Sequence, residues 1–395
     1  MNKYSKIILL LILLIAEALT AQNIESQINL QYNNKIEYKR EVYNRIQRMI
    51  SENPAVDELD KLYFNLAELS TEIDRNNPQK IISYYKQVIQ YNREFNYKDV
   101  VLYNIGYYSY QAAVLQNGQA RQMLEQNYQI IPDSLLYNEI TFQEPIKYYK
   151  RLLEEHPLSS YYTETAWRLA EIYNSIGKET RSRIAYLRAV DYYDLALQKK
   201  DSSFYFPTLA GKAWTLFALQ EIDDATEIEF ALLNQLDSIP DLRNKDVLAQ
   251  EAIKNLAWSF SRDPELDFEQ SSITAARLEL RLSGLNNKLN QEQIMLAVAD
   301  QLLSNNNPQA AIGLYETFQE LFPLSAIAPV AAAAKIDIYR KYPDIFGGIE
   351  SSTQKISDIR EEIRSSFSPQ STWYKENKTS NILPSINVIR SAIEF

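Results

Sequence analysis

The sequence predicts an all-α chain built as a row of antiparallel helix pairs, and three observations carry that prediction. First, apolar residues recur at the i, i+3, i+4, i+7 spacing of a single helix face. In the stretch AWRLAEIYNSIGKETRSRIAYLRA, Ala166, Leu169, Ala170 and Tyr173 form one stripe, and Ala185, Tyr186, Ala189, Val190 and Tyr193 form the next. Second, a small residue returns at one place in successive first stripes, where it lets a neighbouring helix approach closely. Third, there are only 8 Gly and 14 Pro in 395 residues, and several prolines fall between stripes. Long helices with short punctuation fit that usage better than many short strands.

The chain begins MNKYSKIILLLILLIAEALTAQN. Lys3 and Lys6 precede an apolar run from Ile7 to Ala16, and small residues lead up to Ala21. This is the layout of a cleavable secretory leader over residues 1–21. The apolar run is about half the roughly 20 residues that a membrane span needs. Residues 22–54, centred on INLQYNNKIEYKREVYNRIQRMI, read as a helix that caps the open end of an array.

The array itself reads as residues 55–345. Leu66-Ala67 opens the first pair, with Ile81, Tyr85 and Val88 on its second helix. Ile105-Gly106 opens the next; its second helix, EPIKYYKRLLEEHP, carries Tyr149 and Leu152 and ends at Pro157. Leu169-Ala170 with Tyr173 opens the third, and Gly177 is expected to end that helix in the left-handed conformation. Ala213, with Ala225 beyond it, marks the fourth and Leu256-Ala257 the fifth. The sixth is clearest in its second half, through Ala311, Tyr315, Phe318 and Pro323. Further pairs continue through 326–341 and 349–366. Residues 116–143 read as an insertion within the second pair, containing Pro132 and an added helical turn or two near Arg121–Tyr128. Residues 346–395 read as a C-terminal helical cap around Trp373, in two segments split by Pro384.

This pattern resembles the tetratricopeptide repeat, W-x-x-L-G-x-x-Y followed by A-x-x-x-F and a proline. The copies are degenerate: the W-x-x-L-G opening is never intact, while the small residue recurs in at least five of them. The resemblance implies a right-handed superhelical solenoid of antiparallel helix pairs that binds a protein or peptide along its concave face. The pattern also suits part of a longer array.

Composition narrows the function. The formal net charge is −10 and the pI about 5.0, with no basic cluster, which argues against a nucleic-acid footprint. The chain contains no Cys, so disulfides, thiolate catalysis and Cys-held metals are excluded, as is lipid attachment at a leader cleavage site. A periplasmic or secreted protein of a bacterial cell envelope follows as the expectation, with no integral membrane segment. His156, the only histidine, precedes Pro157 at a helix end, where a cation-capable ring is favourable. No nucleophile, phosphate-loop or zinc motif accompanies it. The acid pairs Glu154-Glu155, Asp223-Asp224 and Glu361-Glu362 read as solvated helix faces. DPELDFE, at 263–269, lacks the glycine and ligand spacing of a calcium loop. No enzyme activity, cofactor or metal is expected.

The resemblance also places candidate contacts. The position after the small residue, and the one three further on, lie on the concave face in that family. They carry over to Tyr107 and Tyr110, Trp214 and Phe217, and Trp258, with Glu171 at the first position of the third pair. Glu68 and Asp300 hold the same place in other copies. Aromatic anchors beside acids suit a non-catalytic scaffold in the cell envelope. The alternative is a carbohydrate- or peptidoglycan-binding accessory protein, which needs two or three rings clustered with Asn, Asp or Glu on one patch.

Overall fold

The computed structural model describes residues 34–52, 58–127, 129–130, 137–199, 203–239, 244–263, 266, 271–378 and 383–394. The proposed leader and Pro132 lie outside the described residues, as do parts of 22–54, of the 116–143 insertion and of 263–269. The described residues are mostly helical, and none of them lies in a strand. The chain divides after Ala196 into two compact units, each an all-α solenoid of antiparallel helix pairs.

Unit 1 holds α1 (34–52), α2 (Leu59–Ile73), α3 (Pro78–Tyr91), α4 (Lys98–Gln126), α5 (Gln143–Glu155), α6 (Tyr162–Thr180) and α7 (Arg183–Ala196). From α2 onward each helix packs against the next in sequence. Tyr85, Tyr149, Tyr173 and Tyr193 fill the core with Leu102, Leu152 and Leu169. The repeated Tyr residues of the second helices are therefore core side chains. Tyr43 and Ile46 of α1 close over Leu66, and the Tyr43 and Tyr84 hydroxyls meet at 2.7 Å.

Unit 2 holds α8 (Tyr205–Leu219), α9 (Ile222–Asp237), α10 (Lys245–Phe260), α11 (Ser271–Leu282), α12 (Lys288–Ser304), α13 (Pro308–Leu321), α14 (Ala328–Lys341), α15 (Gly348–Ser366), α16 (Thr372–Asn377) and α17 (Leu383–Glu394). Its core runs from Leu232 and Leu256 through Ile294, Tyr315 and Phe318 to Trp373. Pro384 falls in the first turn of α17 rather than between two segments. Its missing N–H costs nothing there, so it starts the helix instead of splitting it.

Local sequence explains the repeated boundaries. Asn-Asn-Pro-Gln begins both α3 and α13. Asn77 Oδ1 accepts from Lys80 N at 3.2 Å, Asn307 Oδ1 accepts from Ala310 N at 3.1 Å, and proline occupies the first turn of each helix. Pro-Leu-Ser follows both α5 and α13. Ser159 Oγ donates to Asp99 at 2.7 Å and accepts from Tyr161 N. Ser325 Oγ likewise donates to Glu292 at 2.6 Å and accepts from Ile327 N. Each serine ties the start of the next pair back to the first helix of its own pair.

The expectation for Gly177 needs correction. Gly177 does not end its helix: α6 continues to Thr180, and Arg181 takes the left-handed conformation with φ 53°. Gly177 is instead a close-approach residue, since a Cβ there would lie 2.6 Å from Cδ1 of Tyr186. The described part of the insertion continues the helix near Arg121. It prolongs α4 to 29 residues, and Arg121 anchors the extension to Glu179 of α6 at 2.8 Å.

Gly106 and Gly118 lie in the same helix and offer a paired test. A Cβ at Gly106 would lie 2.4 Å from Cε1 of the fully buried Tyr149, whereas a Cβ at Gly118 meets nothing within 4 Å. Helix propensity favours alanine by about 1 kcal/mol at both. Overpacking costs about 1–3 kcal/mol and applies only at Gly106. Urea titration should show Gly118→Ala stabilised by a few tenths of a kcal/mol up to about 1 and Gly106→Ala destabilised by up to about 2. Equal effects would contradict the register that seats Tyr149 on Gly106.

Candidate functional site

The residue after the small one has two fates, set by its chemistry. Where it is an acid, it is bonded inside its own pair. Tyr85 Oη donates to Glu68 at 2.6 Å and Tyr193 Oη donates to Glu171 at 2.6 Å. Tyr315 Oη donates to Asp300 in the same way. Burial raises the carboxyl pKa of Glu171, and the Tyr193 hydroxyl opposes that shift. Glu171 is thus a structural acceptor locking α6 to α7. In the second pair Tyr107 stands where the acid would be, and the buried Tyr149 hydroxyl has no hydrogen-bond partner among the described residues.

Unit 1 gathers Tyr107, Tyr110 and Glu171 where α4 faces α6. Arg168 organises this patch: its guanidinium lies 4.8 Å from the Tyr107 ring centre and bonds Glu164 at 2.6 Å through Nη2. Tyr103 stacks on Tyr107 at 6.2 Å and on Tyr161 at 4.5 Å. Tyr110 stacks on Phe142 at 5.5 Å, and burial raises its pKa. Tyr107, Tyr110 and Tyr161 are half-buried, Tyr103 and Phe142 are buried, and the rings are largely matched to one another.

Unit 2 places its candidates differently. Phe217 is only 5% exposed, so it is a core residue rather than a surface contact. The α8 stripe turns it inward together with Ala213 and Leu216. Trp214 is half-buried. Trp258 is 41% exposed, and the Arg262 guanidinium lies 4.5 Å from its ring centre. Beside it, α10 and α12 enclose an open cleft of about 360 Å³ lined by Gln250, Lys254, Gln293 and Gln301, with Ile253 and Ala257 among its apolar walls. Apart from Asp300, these polar lining residues were not singled out by the sequence pattern. The available signal is their four-residue spacing on two helices.

Each acid doublet set aside as a helix face has at least one member in an ion pair. Glu155 bonds Arg151 and Lys98, each at 2.8 Å; Asp223 bonds Arg281 at 3.3 Å and Glu361 bonds Arg364 at 3.3 Å. His156 is the C-cap residue of α5. Among the described residues no group of three His, Cys, Asp or Glu could hold a metal ion, and no helix is long and apolar enough to cross a membrane.

No protein-family model matches the sequence. No curated protein matches it either. Among solved structures, the crystal structure of yeast Tom70 is similar over 89% of this chain and 96% of that chain, at 14% identity and a TM-score of 0.15. A score that low carries no argument, so the helix-pair reading rests on the packing described above.

Proposed function

We propose that this chain is a non-catalytic interaction protein, exported to the cell envelope of a bacterium, that holds a protein partner on the first-helix faces of its helix pairs. The observation that carries the reading is Trp258. A tryptophan 41% exposed on a helix face, backed by Arg262, is apolar area that the fold itself does not use. Tryptophan and arginine are the residue types that most often dominate protein interfaces. The open cleft beside it adds amide and cationic groups that can pair with a polypeptide backbone or side chain. A glycan-binding role is the weaker reading. The rings that do cluster, Tyr103, Tyr107 and Tyr161, spend their faces on one another and on Arg168.

A photoreactive phenylalanine analogue in place of Trp258, introduced in the source cells, tests the reading. Crosslinking should capture a protein at 258 and not at the exposed control position Ile349. Capture at neither position, or equally at both, would overturn the role given to this face. Mature protein that retains Lys3 or Lys6 on mass spectrometry would overturn removal of the leader.

A further inference from the structure

We infer that the second-helix face of unit 1 docks on an anionic lipid surface, seating a lipid phosphate between Lys150 of α5 and Arg188 of α7. This is a different face and a different class of partner from the protein-binding reading above, and it does not depend on that reading.

A pair of stacked tyrosines gathers the cations. Tyr173 of α6 is fully buried, and its ring stacks on Tyr192 of α7 at 5.7 Å with 4° between the planes. The Lys150 ammonium lies 5.6 Å and the Arg188 guanidinium 5.5 Å from the centre of the Tyr173 ring. Such a ring attracts cations electrostatically, so charges from two different helix pairs are brought to one spot. Beyond the Lys150 ammonium, the buried Tyr173 hydroxyl has no partner among the described residues. An ammonium and a guanidinium donate hydrogen bonds and accept none, and phenol hydroxyls donate as well. The recess is therefore rich in donors, and an oxyanion is the group that satisfies them.

The nearby acids leave Lys150 bare. Burial lowers its pKa while Tyr173 and Tyr192 raise it, and no carboxylate stands among the groups that act on it most strongly. On α5, Glu144 pairs with Lys86 at 2.8 Å, and Glu155 pairs with Arg151 and with Lys98, each at 2.8 Å. Glu154 and Asp191 are exposed and bond neither Lys150 nor Arg188. Glu139 is the one carboxylate at the site, bonded to Arg188, and its side chain is 55% exposed. Exposed ion pairs contribute little to stability, so Arg188 turns from Glu139 to a phosphate at small cost.

The surroundings favour a lipid over a soluble phosphate. Ile184, one turn before Arg188 on α7, is 66% exposed, and Leu187, next to Arg188, is exposed too. Ile140, next to Glu139, is 84% exposed. Large apolar side chains bare beside cations suit the boundary between headgroups and acyl chains. There the apolar side chains enter the lipid, while Lys and Arg stay at the level of the phosphates.

Flotation with phosphatidylcholine vesicles, with and without phosphatidylglycerol, tests the inference. Wild type and variants are purified from the source cells, so that all carry the same N-terminus. The wild type should float with the phosphatidylglycerol vesicles and not with phosphatidylcholine alone, and less so as salt is added. Lys150→Gln with Arg188→Gln should lower the partitioning at least about tenfold. Ile184→Asp, a change at an exposed position, should lower it as well. Arg340→Gln with Arg364→Gln removes the same charge from α14 and α15 and should leave it unchanged. Circular dichroism should show every variant folded. No flotation, full binding by either site variant, or an equal loss in the α14 and α15 variant would overturn the inference. Inorganic phosphate bound on calorimetry, without flotation, would overturn the lipid as its source.

Discussion

Trp373→Ala is expected to cost the second unit about 3–5 kcal/mol, the range for truncating a fully buried aromatic side chain. Trp373 is 2% exposed, stands edge-on to Phe367 at 5.4 Å, and donates its indole N–H to the Ser325 carbonyl at 2.6 Å. Ser325 belongs to the Pro-Leu-Ser turn between α13 and α14. Asn377 Nδ2 donates to Leu324 O at 2.9 Å and Ser385 Oγ to Ala326 O at 2.7 Å, so three side chains of the tail fasten that turn. Truncation leaves a cavity and removes one of the two hydrogen bonds that the Ser325 carbonyl accepts, the other coming from Ala328 N at 3.0 Å. Trp373→Phe keeps most of the volume and should cost only about 1–2 kcal/mol, from the lost hydrogen bond and the smaller ring. Urea unfolding followed by far-UV circular dichroism separates the two. A loss below about 1 kcal/mol for Trp373→Ala would mean that the tail is not part of the unit's core.

Glu229→Gln is the second large effect, and its sign depends on pH. Glu229 on α9 is fully buried; its Oε1 accepts from Asn255 Nδ2 at 2.8 Å, and its Oε2 has no hydrogen-bond partner among the described residues. Burial pushes its pKa up to about 7 from an ordinary 4.5; the Asn255 bond opposes the shift and nearby Glu251 adds to it. Between the unfolded and folded pKa values the native state holds a proton that the unfolded chain releases. Stability from this group is therefore fully present below the unfolded pKa, falls as pH rises towards 7, and is level above it. The shift corresponds to about 3 kcal/mol of destabilisation at alkaline pH. Glutamine removes that term and leaves its amide N–H groups unpaired, which costs about 1 kcal/mol at any pH. The variant should gain about 2 kcal/mol at about pH 8 and lose about 1 kcal/mol at about pH 4. A pH-independent difference would contradict a buried, protonatable Glu229.

Most of the framework was legible from spacing. Ile81, Tyr85 and Val88, and likewise Ala311, Tyr315 and Phe318, fall on buried faces because a 3.6-residue period leaves them no other side. Where a signal had two physical causes, the sequence misled. A glycine late in a helical stripe marks a C-cap or a close approach equally well. At Gly177 the ring of Tyr186, contributed by another helix, decided the matter. Phe217 shared the spacing of surface aromatics, yet packing turned it inward.

The candidate site was less legible because it depends on pairing between helices. The fate of Glu68, Glu171 and Asp300 was set by tyrosines 17, 22 and 15 residues away, an irregular separation that no local rule anticipates. The facing rows of α10 and α12 are each visible as four-residue steps. Only their juxtaposition across a cleft gives the steps meaning.

The central claim is that a protein partner sits on the first-helix face of the second unit. Hydrogen–deuterium exchange of the full chain, with and without the partner captured through position 258, tests it most directly. The account predicts added protection concentrated in Lys245–Phe260 and Lys288–Ser304, the two helices that border the cleft. Protection confined to the second helices, α9 and α13, or an unchanged α10 and α12, would contradict it.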